Sequence, residues 1–111
     1  MDTPRKRPLT AGEAGLLHIL LAARKPQYAG LAIRFPDRVA ALDDGGMGSL
    51  AFWYEEEGGK GRAEIMPVAE YLFADQDGVP VLATLYAYAD GRLYELDIWK
   101  ADFSPLSAYP A

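Results

Sequence analysis

The chain has 111 residues, half of them hydrophobic and 24% charged, the usage of one globular domain with a core of its own, and this excludes a disordered chain. It contains no cysteine, which excludes disulfide staples, thiolate metal sites and a cysteine nucleophile. Eleven basic residues stand against sixteen acidic ones, a formal charge of −5; an acidic body repels a phosphate backbone, so no nucleic-acid partner is expected.

The charge is uneven. Arg5, Lys6 and Arg7 face only Asp2 at the start of the chain, so residues 1–8 read as a solvated basic tail on an acidic body. The best apolar run, Leu16 to Ala23, is broken by His18 and flanked by Arg24 and Lys25, far short of the roughly 18 residues a membrane helix needs. The opening Met-Asp-Thr-Pro is acidic and unlike a secretion signal. A cytoplasmic protein with no membrane partner is expected.

A helical segment occupies residues 9–25, with the helix itself over about 11–24. Thr10 and Glu13 have capping-box spacing, Leu9 can staple the entry, and Leu16, Leu17, Leu20 and Leu21 recur at helical intervals. Lys25-Pro26 closes it, because a residue before proline resists the α region. Residues 27–31 allow a short second helix. From residue 38 to 100 β-branched and aromatic residues dominate, and turn signals predict five strands at about 38–43, 49–55, 62–74, 79–89 and 92–99. The separators are Asp44–Gly48, Glu56–Gly61, Asp75–Gly78 and Asp90-Gly91, the last having the form of a two-residue type I′ hairpin. Loops this short favour antiparallel neighbours. Pro67 cannot donate to a ladder and marks an edge, a bulge or a break in the third strand. The expected architecture is α+β: one domain over 1–111, its N-terminal helix packed on a five-stranded, mainly antiparallel meander sheet, with 101–111 as a C-terminal extension. Leu16, Leu17, Leu20 and Leu21 should pack on either Val81, Ala83 and Leu85 or the alternate set, since a one-residue slip exchanges the faces.

Candidate chemistry is sparse. His18, the only histidine, falls opposite the Leu16/Leu20 stripe and faces solvent; one histidine without cysteine makes no zinc site and no Cys–His pair. The loop Asp44-Gly45-Gly46-Met47-Gly48-Ser49 could form an anion-binding nest, but it lacks a P-loop lysine and serves equally as a strand connection. Asp75-Gln76-Asp77-Gly78 begins like a calcium loop and lacks the remaining ligands. No catalytic residue, metal site or cofactor follows from these patterns. Parity brings the candidates together: if every strand reverses its predecessor, the glycine loop, the Asp75–Gly78 turn and the residues after the fifth strand lie at the same end of the sheet. Asp44, Gly45, Gly46, Ser49, Asp75, Asp77, Lys100 and Asp102 then form the candidate binding cluster. Trp99 or Phe103 should be largely buried, and residues beyond about 106 loosely held. Tyr86, Tyr88 and Trp53 share the face opposite Leu85 and Phe52, and if uncovered would offer a protein-binding surface.

Four strings, RPLT with Glu13, DGGMGSL, DQDGVPV and GRLYELDIWKADFSPL, together resemble a family of small uncharacterised bacterial domains, a domain of unknown function. The resemblance spans nearly the whole chain and implies no activity and no catalytic residue. Acidic α+β domains of this size include toxin-neutralising immunity proteins, by analogy alone. The expected function is a non-enzymatic protein-interaction module, immunity-like in its narrowest form, whose partner is another protein or a second copy of the chain. The alternatives are a small-molecule or metal-dependent enzyme using Asp44, Asp75, Asp77, Asp97 and Asp102, and a structural or oligomerising domain.

Overall fold

The computed structural model describes residues 5–55 and 64–110. The expected Glu56–Gly61 turn, the first two residues of the expected third strand, and residues 1–4 and 111 lie outside them. Helix α1 spans Ala11–Ala22 and begins on the capping box: Thr10 Oγ1 accepts the Glu13 N–H at 3.1 Å, and Glu13 Oε1 accepts the Thr10 N–H at 2.9 Å. Leu16, Leu17 and Leu20 are wholly buried, Leu21 packs at the edge of the core, and His18 faces solvent beside the Phe35 ring. The helix stops short of Lys25 because the chain turns onto the sheet. Arg24 bridges Ala69, and the Lys25 N–H donates to the Val68 carbonyl at 2.9 Å. One 3-10 turn follows at Pro26–Tyr28.

Five strands form one sheet: β1 Arg38–Ala41, β2 Leu50–Trp53, β3 Ile65–Ala74, β4 Pro80–Tyr88 and β5 Leu93–Lys100. All neighbours are antiparallel, in the order β1-β2-β5-β4-β3. The α+β architecture is the expected one; the order adds that β5 lies at the centre, between β2 and β4. Successive strands still alternate in direction, so successive connections still alternate between the ends of the sheet.

Pro67 is both an edge residue and part of a bulge. β3 closes the sheet on one side, its register shifts between Pro67 and Ala69, and the strand runs on to Ala74. The hairpin at Asp90-Gly91 is longer than expected. Tyr88 and Arg92 close a three-residue loop, and only Gly91, at φ 96°, takes the left-handed conformation, as in a type I turn followed by a glycine bulge. A Cβ on Gly91 would stand 1.9 Å from the Ala32 carbonyl oxygen, so glycine is what lets the 31–34 segment lie across this turn.

The basic tail is also partly structural. Arg7 exchanges both backbone hydrogen bonds with Val39, at 2.8 and 2.7 Å, and forks its guanidinium onto Glu13 at 2.9 and 2.8 Å. An edge strand offers unpaired groups that a passing segment can take, and the bidentate pair ties that segment to the start of α1.

Val81, Ala83, Leu85 and Ala87 of β4, with Leu96 and Ile98 of β5, Leu50 and Val39, face inward beneath α1, which settles the choice of face. Burying each such leucine contributes about 2 kcal/mol. The helix rests on β3 and β4; Leu106 and Tyr109, from residues 101–110, pack against the same core. Two expectations fail here. Trp99 and Phe103 are 47% and 64% exposed and stack edge to face on each other, because Leu96, Ile98 and Lys100 take the inward positions of β5. The residues beyond 106 are held, as the next section describes.

Candidate functional site

The end of the sheet that carries the predicted cluster is built around a buried lysine. Lys100 occupies the last inward position of β5 and is wholly buried. Its Nζ donates to Asp75 Oδ2 and Asp77 Oδ2, each at 2.7 Å, and to the Pro105 carbonyl at 3.1 Å. An ammonium has three N–H donors, and all three are used. Asp75, also buried, accepts the backbone N–H groups of Ser107 at 2.7 Å and Ala108 at 3.2 Å besides its lysine bond. Burial pushes the Asp75 carboxyl up, but the donors from Lys100, Ser107, Gln76 and Ala108 outweigh it and hold it well below the usual carboxylate range. Bonds to Asp75 and Asp77 raise the Lys100 ammonium.

The glycine loop joins this end through residues 105–108, which form a C-terminal strap. Asp44 caps its own loop, accepting from Met47 N–H at 3.1 Å and Ser49 N–H at 2.9 Å. Burial pushes its carboxyl up, but the Ser49 and Met47 donors outweigh it and hold it below its ordinary value. The Gly46 carbonyl accepts the Leu106 N–H at 3.0 Å. Ser49 Oγ sits between β2 and β5, accepting the Ile98 N–H at 2.9 Å and donating to the Ile98 carbonyl at 3.3 Å. Gly46 and Gly48 have positive φ, and a Cβ on Gly48 would stand 3.2 Å from the Tyr109 hydroxyl. Asp102 is exposed at the rim and accepts from the Ser104 N–H and hydroxyl; Gly45 is exposed with nothing near it.

The alternation of strand directions therefore brings these residues to one end of the sheet; Asp75 and Asp77 bond to Lys100 and Asp44 to Ser49, while Asp102 bonds to Ser104 and Gly45 stands apart. Asp75, Asp77 and Lys100 latch residues 105–108 across the end of the sheet, and Tyr109 fills the space between Gly12 and Gly48. Among the described residues no three of His, Asp and Glu are grouped to hold a metal ion.

A different surface has no helix over it among the described residues. The outer face of the sheet, opposite α1, carries Leu72 of β3, Leu82 and Tyr86 of β4, Trp99 of β5 and Trp53 of β2, with Glu70, Glu95 and Asp97 among them. Leu72 is 68% exposed, and Trp99 and Phe103 stand beside it in the open. Burial and the neighbouring Asp97 raise the Glu95 carboxyl, and none of the three carboxylates has an ion-pair partner among the described residues. The family model described as Domain of unknown function (DUF6984) matches residues 6–110. The chain belongs to this family. The match takes in Arg7, the whole sheet and the C-terminal strap. No curated protein and no solved structure matches the chain.

Proposed function

We propose that this DUF6984 domain is a non-enzymatic protein-interaction module of the bacterial cytoplasm, and that it docks a partner protein on the outer face of its sheet. One observation carries the reading: a sheet face that none of the described residues covers with a helix exposes Leu72, Trp99 and Phe103 near carboxylates with no ion-pair partner among the described residues. Exposed apolar area on this scale marks interaction surfaces, and Trp and Tyr are the residues that interfaces enrich. The uncompensated Glu70, Glu95 and Asp97 favour a partner whose apolar contact surface is rimmed with lysine or arginine. An immunity-like role, in which that partner is a toxin, is the narrower form of the same reading. The enzyme alternative has less support, because Asp75 and Asp77, the carboxylates that do converge, converge on Lys100.

The test is capture of partners from the native cell by the full chain, followed by calorimetry with each purified partner. Trp99→Asp with Leu72→Asp should weaken binding by at least roughly tenfold, whereas Ala22→Asp on the exposed side of α1 should leave it unchanged. Raising the salt concentration should slow association. A partner that binds the outer-face variant as well as the native chain would overturn the proposal, and so would self-association as the only interaction found.

A further inference from the structure

The ladder between β2 and β5 is short, and its shortness opens a cavity. These strands pair only at Leu50↔Leu96 and Ala51↔Glu95. Beyond them a register shift in β4–β5 leaves Tyr94 as an extra residue, and the strands splay. Tyr54 bridges the gap: its hydroxyl accepts the Leu93 N–H at 2.7 Å and donates to the Arg34 carbonyl at 2.5 Å. The opening is a cavity of about 260 Å³ walled by Trp53, Tyr54, Tyr88, Leu93 and Tyr94, with Arg92 in its lining. It lies at the end of the sheet away from Lys100, beside the Asp90-Gly91 turn.

Arg92 has a donor to spare. Its side chain is 9% exposed, its Nε donates to Asp90 Oδ2 at 2.9 Å, and its guanidinium lies 4.5 Å from the Tyr88 ring centre. Its Nη2 is shielded from solvent with no hydrogen-bond partner, a condition that native structures seldom leave without a reason. The guanidinium lies over the Tyr88 ring and belongs to a residue of the cavity lining. Charge gathers at the same place. Lys6 Nζ stands 4.8 Å above Trp53, Arg34 lies 5.4 Å from Tyr54, and Arg92 lies over Tyr88. All three rings line this one cavity, in a chain whose net charge is −5.

We infer that this cavity binds a small aromatic carboxylate, its ring against Trp53, Tyr88 and Tyr94 and its carboxylate accepting from the Arg92 guanidinium. A planar anion matches both a guanidinium donor and aromatic walls. The size agrees: an apolar cavity of about 150 Å³ takes a benzene ring, which leaves room here for a ring with a short acidic arm. The same chemistry is offered by a free arylacetic acid and by the C-terminal phenylalanine of a peptide. The inference does not require docking on the outer face: the cavity borders that face at its Trp53 end, whereas Trp99 lies at the Lys100 end.

The two tryptophans separate the two ideas. The full chain is titrated with phenylacetate, and with a tetrapeptide ending in phenylalanine, while the indole N–H resonances of Trp53 and Trp99 are followed by NMR. Phenylacetamide and the C-terminally amidated peptide serve as neutral controls. At least one acid should move the Trp53 signal saturably and leave Trp99 in place, with its amide bound roughly tenfold or more weakly. Which acid binds identifies the source. Arg92→Gln should reduce the affinity for the acid to that for the amide. Because the acid–amide contrast is measured on the native chain, it holds even if the Arg92 variant folds poorly. Equal binding of acid and amide, or no saturable shift of Trp53 up to about 10 mM, would overturn the inference.

Discussion

Among the described residues each end of the sheet carries one buried cation, and the two are treated differently. Lys100 has all three donors engaged, with Asp75, Asp77 and Pro105 around it and the C-terminal strap drawn over the top. Arg92 is held at Nε by a half-exposed Asp90 and keeps Nη2 unpartnered beside a cavity. A buried charge that is fully paired is a structural device, whereas one with a donor left over is prepared for something else. The end rich in motifs is thus the closed one, and the end without a motif is the open one.

The comparison can be broken most forcefully at Asp75. Asp75→Ala leaves a buried ammonium with one carboxylate fewer and frees the strap, and should cost on the order of 3 kcal/mol in urea unfolding; a loss under ~0.5 kcal/mol would remove the latch from the account. Deleting Ser107 to Ala111 removes two donors to Asp75 and the packing of Tyr109, and should cost about 2 kcal/mol, visible as a lowered Tm. A deletion without effect would restore the loosely held terminus that the sequence suggests.

Acid should act on the closed end. The Asp75 carboxyl lies below its ordinary value in the folded chain, so its contribution is complete above the unfolded carboxylate value of roughly 4 and is lost as pH falls below it. Stability measured from pH 6 down to pH 2.5 should fall less steeply in Asp75→Asn with Lys100→Met than in the native chain; equal slopes would mean that other carboxylates govern acid unfolding. The smallest effect belongs to the open end. Arg92→Met removes an unsatisfied donor along with an ion pair to a half-exposed partner, and Asp90 keeps its bond from the backbone N–H of residue 92. The two changes nearly offset, and the loss should stay under about 1 kcal/mol.

Much of this fold is local and was therefore legible. Thr10 and Glu13 announce the cap, the leucine spacing gives the helix, and turn residues between alternating runs give five strands whose directions alternate. That alternation alone brings Lys100 to Asp75 and Asp77 across more than twenty residues of chain. What stayed hidden depends on tertiary choice. Nothing local places β5 between β2 and β4. The period-two pattern of β5 offers two faces, and the usual preference for an inward tryptophan and an outward lysine points to the wrong one, because Asp75 and the strap carbonyl make a buried Lys100 tolerable. The Arg92 cavity has no motif: Tyr54, Tyr88 and Tyr94 are scattered among thirteen aromatics, and they meet only because two strands splay after two paired residues.

The contrast between the ends can be read in one thermal-unfolding experiment. The native chain, Lys100→Met and Arg92→Met are each melted with and without a saturating concentration of whichever acid, phenylacetate or the phenylalanine-terminated tetrapeptide, moves the Trp53 signal, since a ligand that binds only the folded state raises Tm. The account predicts that Lys100→Met melts well below the native chain yet keeps the ligand-induced rise. Arg92→Met should melt near the native chain and show a much smaller rise. The opposite pattern, with Arg92→Met unstable but still responsive and Lys100→Met stable, would contradict it.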